Sequence, residues 1–395
     1  MNDRLIFRAA RLLTGTQDIG DGFLQVAGGQ IVYAGPVHAG DSEAIDFGDS
    51  ILAPGFIDLH VHGNGGAWWG QSVESDRKIA RRMAAGGTTS CLASLGGRRT
   101  LDEVLEGIST TAQVVGEEGD GVEVLGIHME GPFISPEKRG AWLPEQLRTP
   151  NLAELRAMQE AAGGAIKTMT IAPELPGALE VVAEARRLGI RPAIGHTNAT
   201  YEEALAGIEA GMEIATHTFN GMRGLHHRDP GALGAVLASP GVTAELIADG
   251  QHVARGAIEV LLTAKGVDRV VLVTDNVAMA GLEPGEYGEG RWRVRVTDEG
   301  VKLDDGTIAG SVLPFNRHLA NLASIAGLTK AARMASANPA RTVGVDDRKG
   351  SLEAGYDADL VVLSPELDVR MTFVRGQITY QGAGFDLPAR MAEIG

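Results

Sequence analysis

The sequence predicts an α/β fold in which eight parallel strands and their connecting helices close a (β/α)₈ TIM-like barrel. Two observations support this fold class. Short apolar, β-branched runs recur between residues 51 and 275, and helical patterns separate them. Strands that alternate with helices indicate a parallel sheet, and eight strands are the number that closes this kind of barrel. An open doubly wound sheet is the alternative, but no glycine-rich dinucleotide motif follows the first run.

The predicted strands share β-branched, apolar character, and most of them end in a polar residue. In order they are ILAPGFIDLH (51–60), TTSCLASL (88–95), EVLGIHME (123–130), KTMTIA (167–172), RPAIGH (191–196), MEIATH (ending at His217), VTAELIAD (242–249) and DRVVLVTD (268–275). The helical segments between them include SDRKIARRMAAG, NLAELRAMQEAAG, ALEVVAEARRLG and TYEEALAGIEAG. All four end in glycine, as helices often do.

Both ends of the chain differ from the barrel segment. Residues 1–50 hold short strand-like runs punctuated by Gly and Asp, and residues 349–384 have the same character. We therefore expect a small β-sandwich domain built from both chain ends. Residues 1–50 form its first part, residues 51–345 form the barrel, and residues 346–395 form its second part plus a C-terminal tail.

Composition excludes several classes of protein. The chain has 395 residues and a net charge of −16, which argues against a nucleic-acid partner. No run approaches the roughly 18 apolar residues of a membrane span, so no membrane partner is expected. The single cysteine, Cys91, excludes an internal disulfide framework and suits the reducing cytoplasm. An anionic small molecule remains compatible, because a local arginine can outweigh the average charge.

Polar side chains that can bind a metal stand at the ends of five predicted strands. They are His60, His62, Glu130, His196, His217 and Asp275. Positions i and i+2 of a strand face the same side, so the HxH pair can point together into the barrel mouth. That mouth is where barrel enzymes carry their chemistry. Imidazole and carboxylate ligands suit zinc, iron or manganese, so the pattern predicts a metal centre.

Asp275 has two interpretations. An aspartate after a strand can be a metal ligand or a helix N-cap. It can also be a general base that takes a proton from the attacking water and then gives it to a leaving amine. We favour the second role, because three other ligands suffice for one catalytic metal site with an open position.

Several motifs extend beyond this general pattern. At HMEGPF, GHTNAT, THTFNGMRGLHHRDPG and VTDN the chain resembles the N-acetylglucosamine-6-phosphate deacetylase family of the amidohydrolase superfamily. The resemblance runs from APGFIDLHVHG to KGSLEAGYDADLVVL, nearly the whole chain. It implies hydrolysis of the acetamide of N-acetyl-D-glucosamine 6-phosphate, in amino-sugar catabolism and cell-wall recycling in the cytoplasm. It also implies a homodimer and one or two divalent ions per subunit, Zn²⁺ or Fe²⁺.

The resemblance assigns roles to particular residues. Glu130, His196 and His217 match the ligands of the main metal, and His60 with His62 matches a second metal position. The matching substrate contacts are Ala141, Trp142, Asn220, Gly221, Arg228, His252, Ala309, Gly310 and Ser311. Within this set, Arg228 matches an arginine that binds the phosphate across the dimer interface. His252 matches a histidine near the amide carbonyl.

Some positions depart from the family pattern, and they border the sugar pocket. Asn276 and Val277 follow Asp275, Gly221 replaces the usual alanine, and residues 312–314 read VLP. The alternative substrate is therefore N-acetylgalactosamine 6-phosphate. A cyclic-amide hydrolase is a further alternative. Enzymes of that kind commonly bridge two metals with a lysine at the end of the fourth barrel strand, whereas Lys167 of this chain is at the opposite end of its fourth predicted strand. An N-acyl-amino-acid deacylase, a deaminase and a non-catalytic barrel are the remaining alternatives.

Overall fold

The structure is a computed structural model that describes residues 4–37, 43–117, 119–290, 293–297 and 300–385. Residues 1–3 and the predicted tail from residue 386 onward lie outside the described residues. Among the helices within these ranges, none combines the length and the apolar character that a membrane crossing requires.

The strands are, in chain order, β1 (Arg4–Ala9), β2 (Arg11–Leu12), β3 (Gly22–Ala27), β4 (Gln30–Gly35), β5 (Ile45–Asp46), β6 (Ile51–Pro54), β7 (Phe56–Val61), β8 (Gly63–Asn64), β9 (Ala67–Trp68), β10 (Thr88–Leu95), β11 (Glu123–Glu130), β12 (Ile166–Ile171), β13 (Arg191–Ile194), β14 (Ile214–Ala215), β15 (Thr243–Ile247), β16 (Val270–Val273), β17 (Gly285–Tyr287), β18 (Val294–Thr297), β19 (Gly300–Leu303), β20 (Leu360–Leu363), β21 (Val369–Val374) and β22 (Gln377–Gln381). The helices are α1 (Val73–Met83), α2 (Leu101–Ala112), α3 (Leu152–Ala161), α4 (Ala178–Arg187), α5 (Tyr201–Ala210), α6 (Gly231–Ala238), α7 (Arg255–Lys265), α8 (Phe315–Ala326), α9 (Leu328–Ala335) and α10 (Ala337–Val343).

The predicted eight-stranded parallel barrel is confirmed. Its strands run in the order β7-β10-β11-β12-β13-β14-β15-β16, and every neighbouring pair is parallel. A parallel bridge between Val61 and Asn276 joins the first strand to the residues that follow the last one. A helix follows each strand, from α1 after β7 to α8 after β16. All eight carboxyl ends therefore point to one mouth.

The apolar run at 51–60 forms two strands that belong to different sheets. β6 pairs with β2 and β20, whereas β7 pairs with β10 in the barrel. Gly55 separates them, and a Cβ at this position would lie 2.1 Å from Cγ2 of Thr89. Only glycine lets the chain pass this close to the neighbouring strand. The predicted domain boundaries at residues 50 and 345 stay a prediction. Ile51–Pro54, which lies inside the predicted barrel segment, pairs with strands of the small β domain.

Two further sheets lie outside the barrel, and only the second of them combines strands from both chain ends. One has the order β4-β3-β1-β5 and the other β2-β6-β20-β21-β22. Their apolar side chains share one cluster, in which the ring of Phe7 lies 5.4 Å from that of Phe373 and 5.6 Å from that of Phe47. The small β domain is therefore assembled from residues at the two ends of the sequence, as the sequence predicts.

A buried ionic cluster connects this domain to the bottom of the barrel. Glu123, the first residue of β11, lies 2.6 Å from Arg348 and 2.9 Å from Lys349. The ammonium group of Lys349, whose side chain is 1% exposed, also lies 2.5 Å from Asp359. Buried charges need such partners, so each member of the cluster depends on the others.

A small antiparallel sheet of β17, β18 and β19 is inserted between β16 and α8, and the sequence analysis did not predict it. Val294, Val296 and Val301 of this insertion pack in one apolar cluster with Val277 and neighbouring residues. The insertion leads back to the barrel through residues 307–310, which reach the mouth.

Candidate active site and metal centre

The six predicted strand-end residues meet at the carboxyl-end mouth of the barrel. They separate into two groups of three whose ligand atoms lie close enough to hold a metal ion. The first group is Glu130, His196 and His217, and the second group is His60, His62 and Asp275. All six side chains are buried or half-buried.

In the first group three ligand atoms converge. Oε1 of Glu130 lies 3.1 Å from Nε2 of His196 and 3.1 Å from Nε2 of His217. The two imidazole nitrogens are 3.0 Å apart. Two ring nitrogens and a carboxylate oxygen that face one point are the donor set that zinc or ferrous iron prefers. The residues present therefore fit a divalent ion.

The second group adjoins the first, and Glu130 lies between them. Nε2 of His60 and Nε2 of His62 are 3.2 Å apart, and Oδ1 of Asp275 lies 3.5 Å and 3.4 Å from them. Oε2 of Glu130 lies 3.4 Å from Nε2 of His62, while Oε1 lies 3.4 Å from Nε2 of His60. One carboxylate thus faces both groups, an arrangement that suits a bridge between two ions.

Acceptors behind the rings set the orientation of three histidines. Nδ1 of His60 lies 3.1 Å from Oε2 of Glu245, and Nδ1 of His62 lies 3.2 Å from the Ser94 carbonyl oxygen. Nδ1 of His196 lies 2.7 Å from the Lys138 carbonyl oxygen. An acceptor at Nδ1 places the proton there, so the lone pair of Nε2 points at the metal position.

The backbone at three of these residues is in the left-handed region. The φ angles are 46° at His196, 27° at His217 and 52° at Asp275. Such angles are uncommon for residues other than glycine and persist where surrounding contacts hold them. Asp275 shows these contacts: its N–H donates to the His60 carbonyl oxygen at 2.8 Å, and its carbonyl oxygen accepts from the N–H of Ser311 at 2.8 Å.

The charge of Glu130 follows from its neighbours. Burial by itself raises the pKa of this carboxyl, but the facing His196 and His62 outweigh burial and hold the pKa well below its usual range. Glu130 is therefore a carboxylate, which is the form that binds a cation.

The two groups lie at the floor of a cavity of about 470 Å³. The predicted residues that line it are His62, Ala141, Trp142, Glu130, His196, His217, Asn220, Gly221, His252, Asp275, Ala309 and Gly310. Lining residues that the sequence analysis did not select include Trp68, Trp69, Gln71, Arg98, Gln146 and Thr307. His60, Arg228 and Ser311 do not line it.

Comparison with known proteins agrees with this geometry. Residues 51–379 match the model of the amidohydrolase family. The chain belongs to the amidohydrolase family. It is 34% identical over 391 residues to an N-acetylglucosamine-6-phosphate deacetylase of Bacillus subtilis, covering 96% of this chain and 98% of that protein. It is also 34% identical over 380 residues to an N-acetylgalactosamine-6-phosphate deacetylase of Escherichia coli O157:H7, covering 94% and 98%.

A solved structure shares the whole fold of this amidohydrolase. A variant of N-acetyl-D-glucosamine-6-phosphate deacetylase from Mycobacterium smegmatis, in complex with N-acetyl-D-glucosamine 6-phosphate, matches with a TM-score of 0.91. The identity is 32%, and the match covers 96% of this chain and all of that chain. Membership of the amidohydrolase family makes this chain a hydrolase with a divalent metal centre, in agreement with the two groups of ligands.

His252 lines the cavity of this amidohydrolase. Its Nδ1 lies 2.7 Å from Oδ2 of Asp249, whose side chain is 3% exposed. The backbone N–H groups of Gln251 and His252 donate to Oδ1 of the same carboxylate. Asp249 therefore fixes the ring of His252, and the sequence analysis did not select Asp249 because its contact is visible only in the folded chain.

Arg228 lies on an exposed turn outside the cavity of its own chain. The backbone groups of His226 and Asp229 bond to each other around it, and its Nη1 lies 2.9 Å from Nε2 of His227. The resemblance places this arginine in the site of a second subunit, and that contact stays a prediction.

Ser311 supports the site from behind and does not bring its side chain to the cavity. It is 1% exposed, and its hydroxyl donates to Oδ1 of Asn276 at 2.8 Å. Its backbone N–H holds the Asp275 carbonyl oxygen, as described above. The side chain is turned away from the cavity because this hydrogen bond fixes it.

Arg98 is the one lysine or arginine among the described residues that line the cavity. Its Nη2 donates to the carbonyl oxygens of Trp69 and Gly70 at 3.3 Å and 3.0 Å. The sequence could have indicated this position, because Arg98 follows the second barrel strand just as the candidate metal ligands stand at the ends of other barrel strands. A guanidinium here adds positive charge to the wall of the cavity.

Proposed function

We propose that this chain hydrolyses the acetamide of N-acetyl-D-glucosamine 6-phosphate to D-glucosamine 6-phosphate and acetate. The observation that carries the proposal is Glu130, which faces both ligand groups beside Asp275 at the floor of the cavity. The relatives named above, which act on two epimeric sugar phosphates, support the substrate class. Amino-sugar catabolism and cell-wall recycling in the cytoplasm are the setting that this reaction implies.

The ligands for one ion are Glu130, His196 and His217, and His60 with His62 provide the position for a second. Zn²⁺ or Fe²⁺ fits nitrogen and carboxylate ligands of this kind. An ion held there polarises the acetamide carbonyl and lowers the pKa of the attacking water. We propose that each subunit holds one or two such ions.

Asp275 moves the proton in this reaction. Its carboxylate accepts a proton from the water as the oxygen attacks the carbonyl carbon, and it then gives that proton to the departing nitrogen. The C–N bond breaks, the sugar keeps the amine, and the acyl group leaves as acetate. Nε2 of His252 faces the same cavity and hydrogen-bonds the carbonyl oxygen as negative charge develops on it.

The phosphate binds away from the bond that breaks. Asn220 and Gly221 line the cavity after the sixth barrel strand, and Arg228 of a second copy supplies a guanidinium in a homodimer. A guanidinium forms two parallel hydrogen bonds with phosphate and so positions the sugar. Ala141, Trp142, Ala309 and Gly310 complete the contacts.

The second candidate substrate is the galactosamine epimer. The Escherichia coli relative named for that sugar is as similar to this chain, 34% identical, as the Bacillus subtilis relative. Asn276, Val277 and Gly221 depart from the family pattern beside the sugar pocket. Because such changes can alter the choice of sugar, both epimers should be tested.

The test measures acetate and free amine released by metal-reconstituted protein. Its substrates are N-acetylglucosamine 6-phosphate, the galactosamine epimer and unphosphorylated N-acetylglucosamine, with a cyclic amide alongside. We expect rapid release from the first and little from the unphosphorylated sugar. Preference for the epimer would reassign the sugar and keep the reaction. Turnover of the cyclic amide alone, or of nothing, would contradict the proposal.

A further inference from the structure

The indole of Trp142 bonds to the carboxylate that faces both ligand groups. Its Nε1–H donates to Oε2 of Glu130 at 3.2 Å, and the residue is 8% exposed. The same Oε2 lies 3.4 Å from Nε2 of His62. Oε1 faces His196 and His217 at 3.1 Å and lies 3.4 Å from Nε2 of His60. The two oxygens of Glu130 are therefore in unequal surroundings.

The ring of Trp142 is held in this place by its neighbours. It packs over Gly96 and Gly131, and a Cβ at Gly96 would lie 2.7 Å from the ring. The carbonyl oxygen of Trp142 accepts a hydrogen bond from Nη1 of Arg139. These contacts keep the indole N–H of Trp142 directed at Oε2 of Glu130.

A carboxylate placed between two cations can offer one oxygen to each of them. Oε1 of Glu130 is the oxygen nearest to both histidines of the first group. Oε2, which lies 3.4 Å from His62, would therefore be the oxygen for an ion of the second group. A hydrogen bond from Trp142 takes one lone pair of Oε2 and withdraws electron density from it. Partners of this kind, one step behind the ligands, change metal affinity substantially.

We propose that the indole N–H of Trp142 weakens the binding of an ion at the second group and leaves the first group unaffected. Trp142 is then a positioning residue that makes the centre bind one ion tightly and a second one weakly. This inference rests on the metal centre of the proposed function, but it concerns ion affinity and not turnover.

The test removes the N–H and keeps the aromatic ring, with Trp142→Phe. Trp69→Phe is the matched control, because Trp69 lines the same cavity, and its buried Nε1 has no hydrogen-bond partner within the described part of the chain. Each protein is stripped with a chelator and titrated with Zn²⁺ at controlled free concentration. Bound ions are counted by elemental analysis, and Co²⁺ absorption provides a second readout.

We expect Trp142→Phe to lower the dissociation constant of the second ion about tenfold, since a hydrogen bond to a charged group is lost. The first ion should bind as in the wild type, and Trp69→Phe should match the wild type for both. A second ion that binds equally or more weakly in Trp142→Phe would overturn the proposal.

Trp142→Leu removes the N–H together with the aromatic ring and provides a second variant if the Phe protein does not fold. Tightening of the second ion in both variants supports the role of the N–H. Tightening in Trp142→Leu alone, in a folded pair, would assign the effect to packing and overturn the proposal. A wild type that binds no ion at all would overturn the metal centre itself, whereas normal ion binding without acetate release would contradict only the proposed reaction.

Discussion

Oδ2 of Asp249 lies 2.7 Å from Nδ1 of His252 and is almost completely buried. Burial by itself raises the pKa of this carboxyl, but the hydrogen bond and charge of His252 hold the pKa well below its usual range. The ionised carboxylate accepts the hydrogen bond from Nδ1 of His252 and so fixes the orientation of the imidazole that lines the cavity.

Asp249→Asn should therefore lower kcat/KM about 10- to 100-fold, because a hydrogen bond to a charged group is replaced by a neutral one. The measurement is kcat/KM across pH, together with the metal content. Metal content should not change, since Asp249 belongs to neither ligand group. An unaltered pH profile and rate would remove Asp249 from the positioning of His252.

Asp275→Asn keeps the size of the side chain but removes its ability to carry a proton. Turnover should fall about 10²- to 10⁴-fold, the usual contribution of general acid–base catalysis. The first ion should stay bound, because Glu130, His196 and His217 are intact. Turnover is measured with the ion count on the same sample, and wild-type turnover in the variant would exclude a proton-transfer role.

Glu245 holds the ring of His60 at 3.1 Å and accepts the backbone N–H of His217 at 3.1 Å. Glu245→Gln should weaken ion binding about 10- to 100-fold, as other changes behind metal-bound histidines do. Ion retention during dialysis against a graded chelator measures the effect. Glu213→Gln is the control, because Glu213 pairs with Arg191 and is 42% exposed. Equal retention in both variants would contradict the prediction.

Arg228 and Asp275 can be tested together, since one is expected to act in a neighbouring subunit. Arg228→Ala and Asp275→Asn should each be nearly inactive. If their subunits are mixed, each heterodimer restores one complete site, and random mixing should recover about a quarter of wild-type activity. Activity is measured before and after subunit exchange. No recovery in a mixture shown to contain heterodimers would place Arg228 outside the partner's site.

Glu123 should make folding stability depend on acid pH. Burial by itself raises its pKa, but the hydrogen bond of Arg348 and the charge of Lys349 lower it to about 2, from an ordinary value of 4.5. A lowered pKa in the folded state contributes stability above pH 4.5, and this contribution disappears as the pH falls towards 2.

Glu123→Gln removes this contribution. The wild type should exceed the variant by roughly 3 kcal/mol in free energy of unfolding above pH 4.5, and the difference should shrink towards pH 2. Urea unfolding of both proteins in the metal-free form measures the difference without interference from ion release at low pH. A difference that is constant with pH would exclude titration of Glu123 as the cause.

The barrel and the meeting of its six candidate metal-binding residues were predictable from the sequence because a local rule applies to them. Each stands at the end of an apolar strand, and parallel strands bring these ends together. Arg98 follows the same rule, but an arginine is not a metal ligand and this one lies in none of the family motifs, so it was not predicted. The sequence shows the charge of Arg98, but only the folded chain shows that it contacts Trp69 and Gly70 at the cavity wall.

Other features depend on packing that no local pattern encodes. The run at 51–60 is apolar on both sides of Gly55 because β6 and β7 are both buried, so hydropathy gives no sign that the strand divides there. The inserted strands β17–β19 are three or four residues each, too short to stand out from a loop. Glu245 lies within the seventh barrel strand, and Asp249 ends the predicted strand at 242–249. Neither belongs to a recognised motif, and only the folded chain brings them to His60 and His252.

The pairing of β6 with β20 also bears on the order in which the protein is made. Ile51 pairs with Leu363, so the pairing of β6 with β20 forms only after the whole barrel segment has been synthesised. Contacts between such distant residues form slowly, and large chains build their parts in succession. On the ribosome the barrel precedes the completed small domain, and release of the C-terminal strands is the event that completes the fold.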